Sequence, residues 1–140
     1  MSTYVDTSAF LTILDADDRN HEAAKRTWAD LVGRKESMIT SSYVVVETAS
    51  VLHRRHGLSA VRWFQSDMLP VVHVEWVDKP LHEIGMSAVL AGTRHGPSLV
   101  DCISFEIISR RAISSVFAYD RHFNDRGLGL VGGELREESD

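Results

Sequence analysis

The sequence predicts an α/β fold, with helices layered on a central, mainly parallel sheet. Two observations carry that expectation. Short apolar runs of strand character alternate along the chain with segments of helical periodicity, the pattern of a parallel sheet crossed by helices. At 140 residues, with 44% hydrophobic and 25% charged residues, the chain also has the length and composition of one ordinary globular domain that can bury a substantial core.

The elements follow in order. "TYVD", residues 3 to 6, reads as the first strand, and helices are expected at about 8 to 16 and 20 to 33, the second starting near Asn20. "SMIT", 37 to 40, is a short strand that leads into the helix "SSYVVVETASVLHRRHG", which stops at Gly57 as a C-cap glycine predicts. A helix over about 58 to 68 ends before Pro70. "VVHVEWV", 71 to 77, alternates as a strand does. Pro80 suits the first turn of a long helix that runs to Thr93. After "HGPS", the segment "LVDCISFEIISRRA", 99 to 112, is helical; "SSVFAY" is a buried strand and "GLGLV" a last short one. Trp28 and Trp76 are assigned to the core. Residues 1 to 131 are expected to form one domain, and the acidic tail "GGELREESD", 132 to 140, a loosely held, flexible end.

Charge and composition exclude several function classes. The opening "MSTYVDTSAFLTILDADD" has no basic leader ahead of a long apolar run, and no apolar stretch reaches a membrane span, so neither a secretory signal nor a membrane anchor is expected. A single cysteine, Cys102, rules out an intrachain disulfide or a multi-cysteine metal site and fits a cytoplasmic home. The net charge of −5 argues against a broad basic surface that holds nucleic acid by counterion release alone. A nucleic-acid substrate stays open, because bound cations and a few local arginines can also meet phosphates.

In parallel sheets, ligands collect beyond the carboxyl ends of the strands. Asp6 closes the first strand and Asp120 closes "VFAYD"; Asp101 enters the helix after "HGPS", and Glu47 rises from the helix after "SMIT". Each has a plainer explanation. Asp6 in "VDTS" can cap the helix that follows, Asp101 stands three residues after Ser98 at the spacing of a capping box, and Asp120 can close a turn. Glu47 resists most, since its neighbours one turn away are Tyr43, Val44, Ser50 and Val51, and its own helix offers no basic partner before Arg54 and Arg55. A buried salt bridge to a distant arginine is the alternative.

Taken together, the four acids make one pattern, a pocket of carboxylates. Such a group repels itself and raises its own pKa values unless a divalent cation neutralises it. Oxygen ligands with no cysteine or histidine partner suit the hard ions Mg²⁺ or Mn²⁺, which can activate water and offset charge on a phosphate under displacement. Hydrolysis of a phosphodiester is the chemistry this implies.

"YVDTSAF", "VVVETASVLHRR", "GPSLVDCISFEI" and "VFAYDRHF" resemble the four acidic motifs of the PIN-domain family, most closely its VapC toxin branch. The resemblance runs from about Tyr4 to about Gly127. It implies a three-layer fold with a five-stranded parallel sheet between helices and a metal-dependent endoribonuclease that uses Mg²⁺, with Mn²⁺ as a substitute. The family's acids fall on Asp6, Glu47, Asp101 and Asp120, with Ser8 as a supporting hydroxyl. The first three are expected to hold the principal ion and Asp120 to complete the cluster or position a second one. The resemblance further implies an RNA substrate, a homodimer, and a cognate antitoxin protein that crosses the acidic pocket.

Two positions depart from many relatives: Val100 stands where a threonine often precedes the third acid, and Ala118 where a threonine often stands two before the fourth. Asp125 reads as a loop residue. His53 and His56 belong to the cationic last turn of their helix rather than to a metal site. Arg54, Arg55, Trp63 and Arg121 are candidate contacts to RNA or to a partner, with "GLSAVRWF" as part of the antitoxin surface. Two rival functions are a PIN-like scaffold without catalysis and a phosphoacceptor signalling domain, which also puts aspartates at strand ends and needs a lysine near the site. "VDKP", with Lys79, superficially resembles that lysine motif, but it comes too early and Asp6 lacks an adjacent acid pair.

Overall fold

The computed structural model describes residues 1–126 and 128–132, except the side chain of Asp125. The expected tail from 133 onward and any role for the Asp125 carboxylate therefore lie outside the described residues. Five strands, β1 (Ser2–Val5), β2 (Ser37–Ser41), β3 (His73–Glu75), β4 (Ser115–Phe117) and β5 (Gly129–Val131), pair in parallel throughout in the order β3-β2-β1-β4-β5. The α/β expectation, with five parallel strands, holds.

Alternation along the strands sorts the core into two layers. Tyr4 and Val5 of β1 are both fully buried, yet they enter different clusters, as do Met38 and Ile39 of β2 and Val116 and Phe117 of β4. Successive side chains point to opposite faces, so a strand covered on both faces reads as continuously apolar. On one face lie α1 (Thr7–Leu14), α2 (His21–Gly33), α3 (Ser42–His56) and α4 (Leu58–Trp63), which contribute Phe10, Leu31, Leu52 and the Phe64 that follows α4. On the other lie α5 (Lys79–Ala91) and α6 (Leu99–Arg110), with Leu81, Ile103 and Ile107. Gly85 of α5 sits against the Ile103 side chain, where an added methyl group would force that side chain to shift, so the glycine favours close approach of the two helices.

Local chemistry sets the helix ends. Ser41 caps α3 by accepting from Val44 N at 3.1 Å, and Gly57 ends it at φ 83°, with its N–H donating to Leu52 O at 3.0 Å. Asp78 caps α5, with Pro80 in the first turn as expected.

Three expectations need correction. The helix over 58 to 68 is α-helical only to Trp63 and widens to a π-helical turn over Phe64–Met68; a 3₁₀ turn over Leu69–Val71 then carries Pro70. That turn and the Asp78 cap also shorten the strand expected over 71 to 77 to His73–Glu75. Trp76 is not a core residue: it is 75% exposed, because β3 is an edge strand and Trp76 lies beyond its end. Trp28 does pack inward, edge-on to Phe10 at 6.2 Å.

Candidate active site

The strand order places the site. From β1 the chain steps to β2 and β3 on one side, then returns across the sheet to β4 and β5 on the other, so the direction reverses between the neighbours β1 and β4. A crevice opens beyond the carboxyl ends of the strands at such a switch point. Asp6 leaves β1 there, and Asp120 follows β4. A cleft of about 190 Å³ is lined by Asp6, Ser8, Glu47, Asp101 and Asp120, together with Arg55.

Asp6 and Asp101 both perform the structural task that the plainer readings assigned to them. Asp6 caps α1 by accepting from Ser8 N at 3.1 Å, and the same oxygen accepts from Ser8 Oγ at 2.6 Å. Ser8 Oγ accepts in turn from Tyr119 N at 2.9 Å, which ties the first acid to the segment that carries the fourth. Asp101 and Ser98 form the reciprocal capping box of α6, with both bonds at 3.2 Å. Capping and facing the cleft are compatible: Asp101, which lines the cleft, accepts the capping bond from Ser98 N on Oδ2, the same oxygen that lies 3.3 Å from His122 Nδ1.

Glu47 is half-buried and stands across the cleft on α3. Among the described residues it is in no ion pair, so the distant-arginine explanation finds no support. Burial pushes its carboxyl up, the nearby Thr7 hydroxyl opposes that rise, and the charges of Asp101 and Asp120 add to it. Asp6 is pushed up to about 7, first by burial and then by the same two acids, with the Ser8 bonds opposing. Asp101 rises through burial and the charge of Asp120, against Ser98 and the imidazole of His122. Four acids thus share one field, and a divalent cation would relieve it.

The donors present fit such an ion, although they are not oxygen alone. His122, which the sequence reading passed over, brings Nδ1 to 3.3 Å from Asp101 Oδ2 and 3.2 Å from Asp120 Oδ1. Neither approach has hydrogen-bond geometry, and Nδ1 is buried without a hydrogen-bond partner. One donor atom each from Asp101, Asp120 and His122 lie within 4.8 Å of one another, close enough to hold a metal ion together. The signal available in the sequence was "DRHF", with a histidine two residues after the fourth acid. Asp15 and Asp18 were also passed over and line the cleft.

Other candidates fall outside the cleft lining. Arg54 is exposed on α3, Trp63 is 42% exposed on α4, and Arg121 follows Asp120. Asp125 belongs to a 3₁₀ turn, Arg121–Arg126, rather than to an open loop. Val100 packs against the core cluster and Ala118 is buried, so the two family departures sit as apolar filling. Lys79 is exposed and pairs with Glu83, and it does not line the acidic cleft, so it does not supply the lysine that a phosphoacceptor domain needs near its site. No helix among the described residues is long and apolar enough to cross a membrane.

Comparison with known proteins agrees with this geometry. The chain is 32% identical over 132 residues to the 23S rRNA-specific endonuclease VapC20 of Mycobacterium tuberculosis, in strains CDC 1551 / Oshkosh and ATCC 25618 / H37Rv, covering 94% of this chain and 98% of the relative. It also superposes on the crystal structure of M. tuberculosis VapC20, described as a sarcin-ricin loop cleaving toxin, with a TM-score of 0.77 and 31% identity over 90% of this chain and 95% of that one. The family profile for the PIN domain matches residues 3–127, and the chain belongs to the PIN-domain family.

Proposed function

We propose that the chain is an endoribonuclease that depends on Mg²⁺, with Mn²⁺ as a substitute, and acts as the toxin of a VapBC-type toxin-antitoxin pair. The observation that carries this reading is the convergence of Asp6, Glu47, Asp101 and Asp120 on one cleft at the switch point. In this reading Asp6, Glu47 and Asp101 hold the principal ion, and Asp120 completes the cluster or positions a second one. When bound, the ion supplies an acidified water and offsets charge on the phosphate under attack.

The chain's own groups supply the remainder. Ser8 fixes the Asp6 carboxylate toward the cleft and couples it to the Asp120 segment. Arg55, which lines the cleft, meets an RNA phosphate with its planar fork, and Arg54 and Arg121, outside the lining, are further candidate phosphate contacts. Hydrolysis leaves a 3′-hydroxyl and a 5′-phosphate. The substrate named for the relatives makes 23S rRNA, and its sarcin-ricin loop, the first RNA to offer.

A cognate antitoxin would cross the acidic cleft and rest on α4, where Leu58 and Trp63 present apolar surface. A homodimer, a cytoplasmic location and a single domain over residues 1–131 complete the reading.

Calorimetric titration of Mn²⁺ and Mg²⁺ into the partner-free protein, beside Glu47→Gln, tests it. Binding by the wild type and loss in the folded variant is the expected result. If neither protein binds an ion, the metal-dependent mechanism fails.

A further inference from the structure

An imidazole within 3.3 Å of two of the four acids is a donor that the all-oxygen expectation lacked. We propose that His122 Nδ1 is a direct ligand of the site's divalent cation, which makes the centre a mixed nitrogen and oxygen site that prefers Mn²⁺ over Mg²⁺. The inference rests on the metal-dependent reading above and deepens it.

Four features of the structure support the assignment. Donor atoms in adjacent positions around an octahedral ion at about 2.1 Å lie about 3.0 Å apart. Nδ1 stands 3.2 and 3.3 Å from one oxygen each of Asp120 and Asp101, near that spacing. Nδ1 is also buried with no hydrogen-bond partner, the condition of a lone pair available to a cation rather than of an N–H donating to a carboxylate. On the far side of the ring, Nε2 lies 3.4 Å from the carbonyl oxygen of His95. A proton on Nε2 directed to that carbonyl leaves Nδ1 as the free donor, the arrangement by which backbone carbonyls orient metal-bound histidines. Finally, the backbone N–H of His122 donates to Asp120 Oδ1 at 2.9 Å, so the fourth carboxylate is tied to the residue that carries the ring.

The ion preference follows from the donor. Imidazole nitrogen binds first-row transition ions well, whereas Mg²⁺ favours carboxylate, carbonyl and water oxygen. The competing role for His122 is a positive counter-charge, an imidazolium that neutralises the acids and leaves the site when an ion enters.

Pulsed electron paramagnetic resonance of the Mn²⁺-loaded, tag-free protein separates the two roles. The expected spectrum carries the modulation of a directly bound nitrogen, which changes when histidine is supplied as the ¹⁵N form and is absent in folded His122→Gln. Calorimetry of that variant should show Mn²⁺ binding weakened about 10- to 100-fold, with Mg²⁺ affected far less. Mn²⁺ bound without nitrogen modulation, or modulation that survives in His122→Gln, overturns the ligand assignment while the metal-dependent reading stands. A wild-type protein that binds no ion overturns both.

Discussion

The starts of α1 and α6 use the same device and differ in how tightly they hold it. Each places an aspartate where it caps a helix and faces the cleft. Asp6 follows the end of the central strand and is fixed by two Ser8 bonds, one of them at 2.6 Å, while Ser8 is itself bonded to Tyr119 N. Asp101 keeps only the longer bonds of its capping box and leans on the His122 imidazole. Hence the more tightly bonded acid stands at the end of the central strand, and the less tightly bonded one beside the His122 ring. A rigid acid suits the fixed corner of a cation site, and a looser one can adjust as an ion arrives.

The largest effect that should separate the two is the pH dependence of metal-free stability. Burial pushes the Asp6 carboxyl up to about 7 in the folded protein from its ordinary 3.8, so the folded state holds this proton more tightly than the unfolded state. Its contribution to stability is then full below about pH 4 and is lost as pH rises through about 7, a swing on the order of 4 kcal/mol. Thermal unfolding in chelator from pH 4 to 8 should show this decline. Asp6→Asn, which can still cap α1, should flatten it. Asp101→Asn should flatten it less, since His122 and Ser98 already offset part of the cost of that charge. A wild type whose stability rises over this range would break the comparison at its root.

Cleavage should erase the difference. If both acids hold the cation, Asp6→Asn and Asp101→Asn should each reduce RNA cleavage by about 100-fold or more, the upper end of what even supporting partners of metal sites cost. Both variants should stay folded, because each removes a like charge from a repelling group. An Asp101→Asn enzyme of near-normal activity would confine Asp101 to its capping role.

Much of this was legible in the sequence because strand ends and helix starts are local events. "YVDTS" announces a buried strand, a cap and a carboxylate in five residues, and a glutamate on an apolar helix needs a partner whatever the fold. Those local signals left two readings of Asp6 and Asp101 open, and the structure shows each acid capping its helix while lining the cleft. What stayed hidden depends on how the chain closes in space. His122 is two residues from Asp120, and nothing in "DRHF" tells whether the turn after β4 carries that ring back to Asp101 or away from it. Arg55 is two helical turns from Glu47, and only the lie of α3 across the cleft brings both to one wall. Trp76 misled because alternation marks a strand without telling whether it is central or at an edge.

The smallest effect concerns the serines that hold the two acids. Ser98→Ala removes one cap bond from α6 and should cost about 1 kcal/mol. Ser8→Ala leaves the backbone bond from Ser8 N to Asp6 in place, but it strips the acid of its shortest bond and Tyr119 N of its acceptor. The cost there should be larger, about 1–3 kcal/mol, because a backbone donor is left unsatisfied. Urea unfolding of the two variants at one pH measures the difference, and pH adds a sharper check. The Ser8 hydroxyl favours the ionised form of Asp6, so without it the carboxyl should titrate still higher and the loss of stability should extend further above neutrality. Ser98→Ala should move that limit much less, since its hydroxyl acts on Asp101 rather than on the buried charge that sets it.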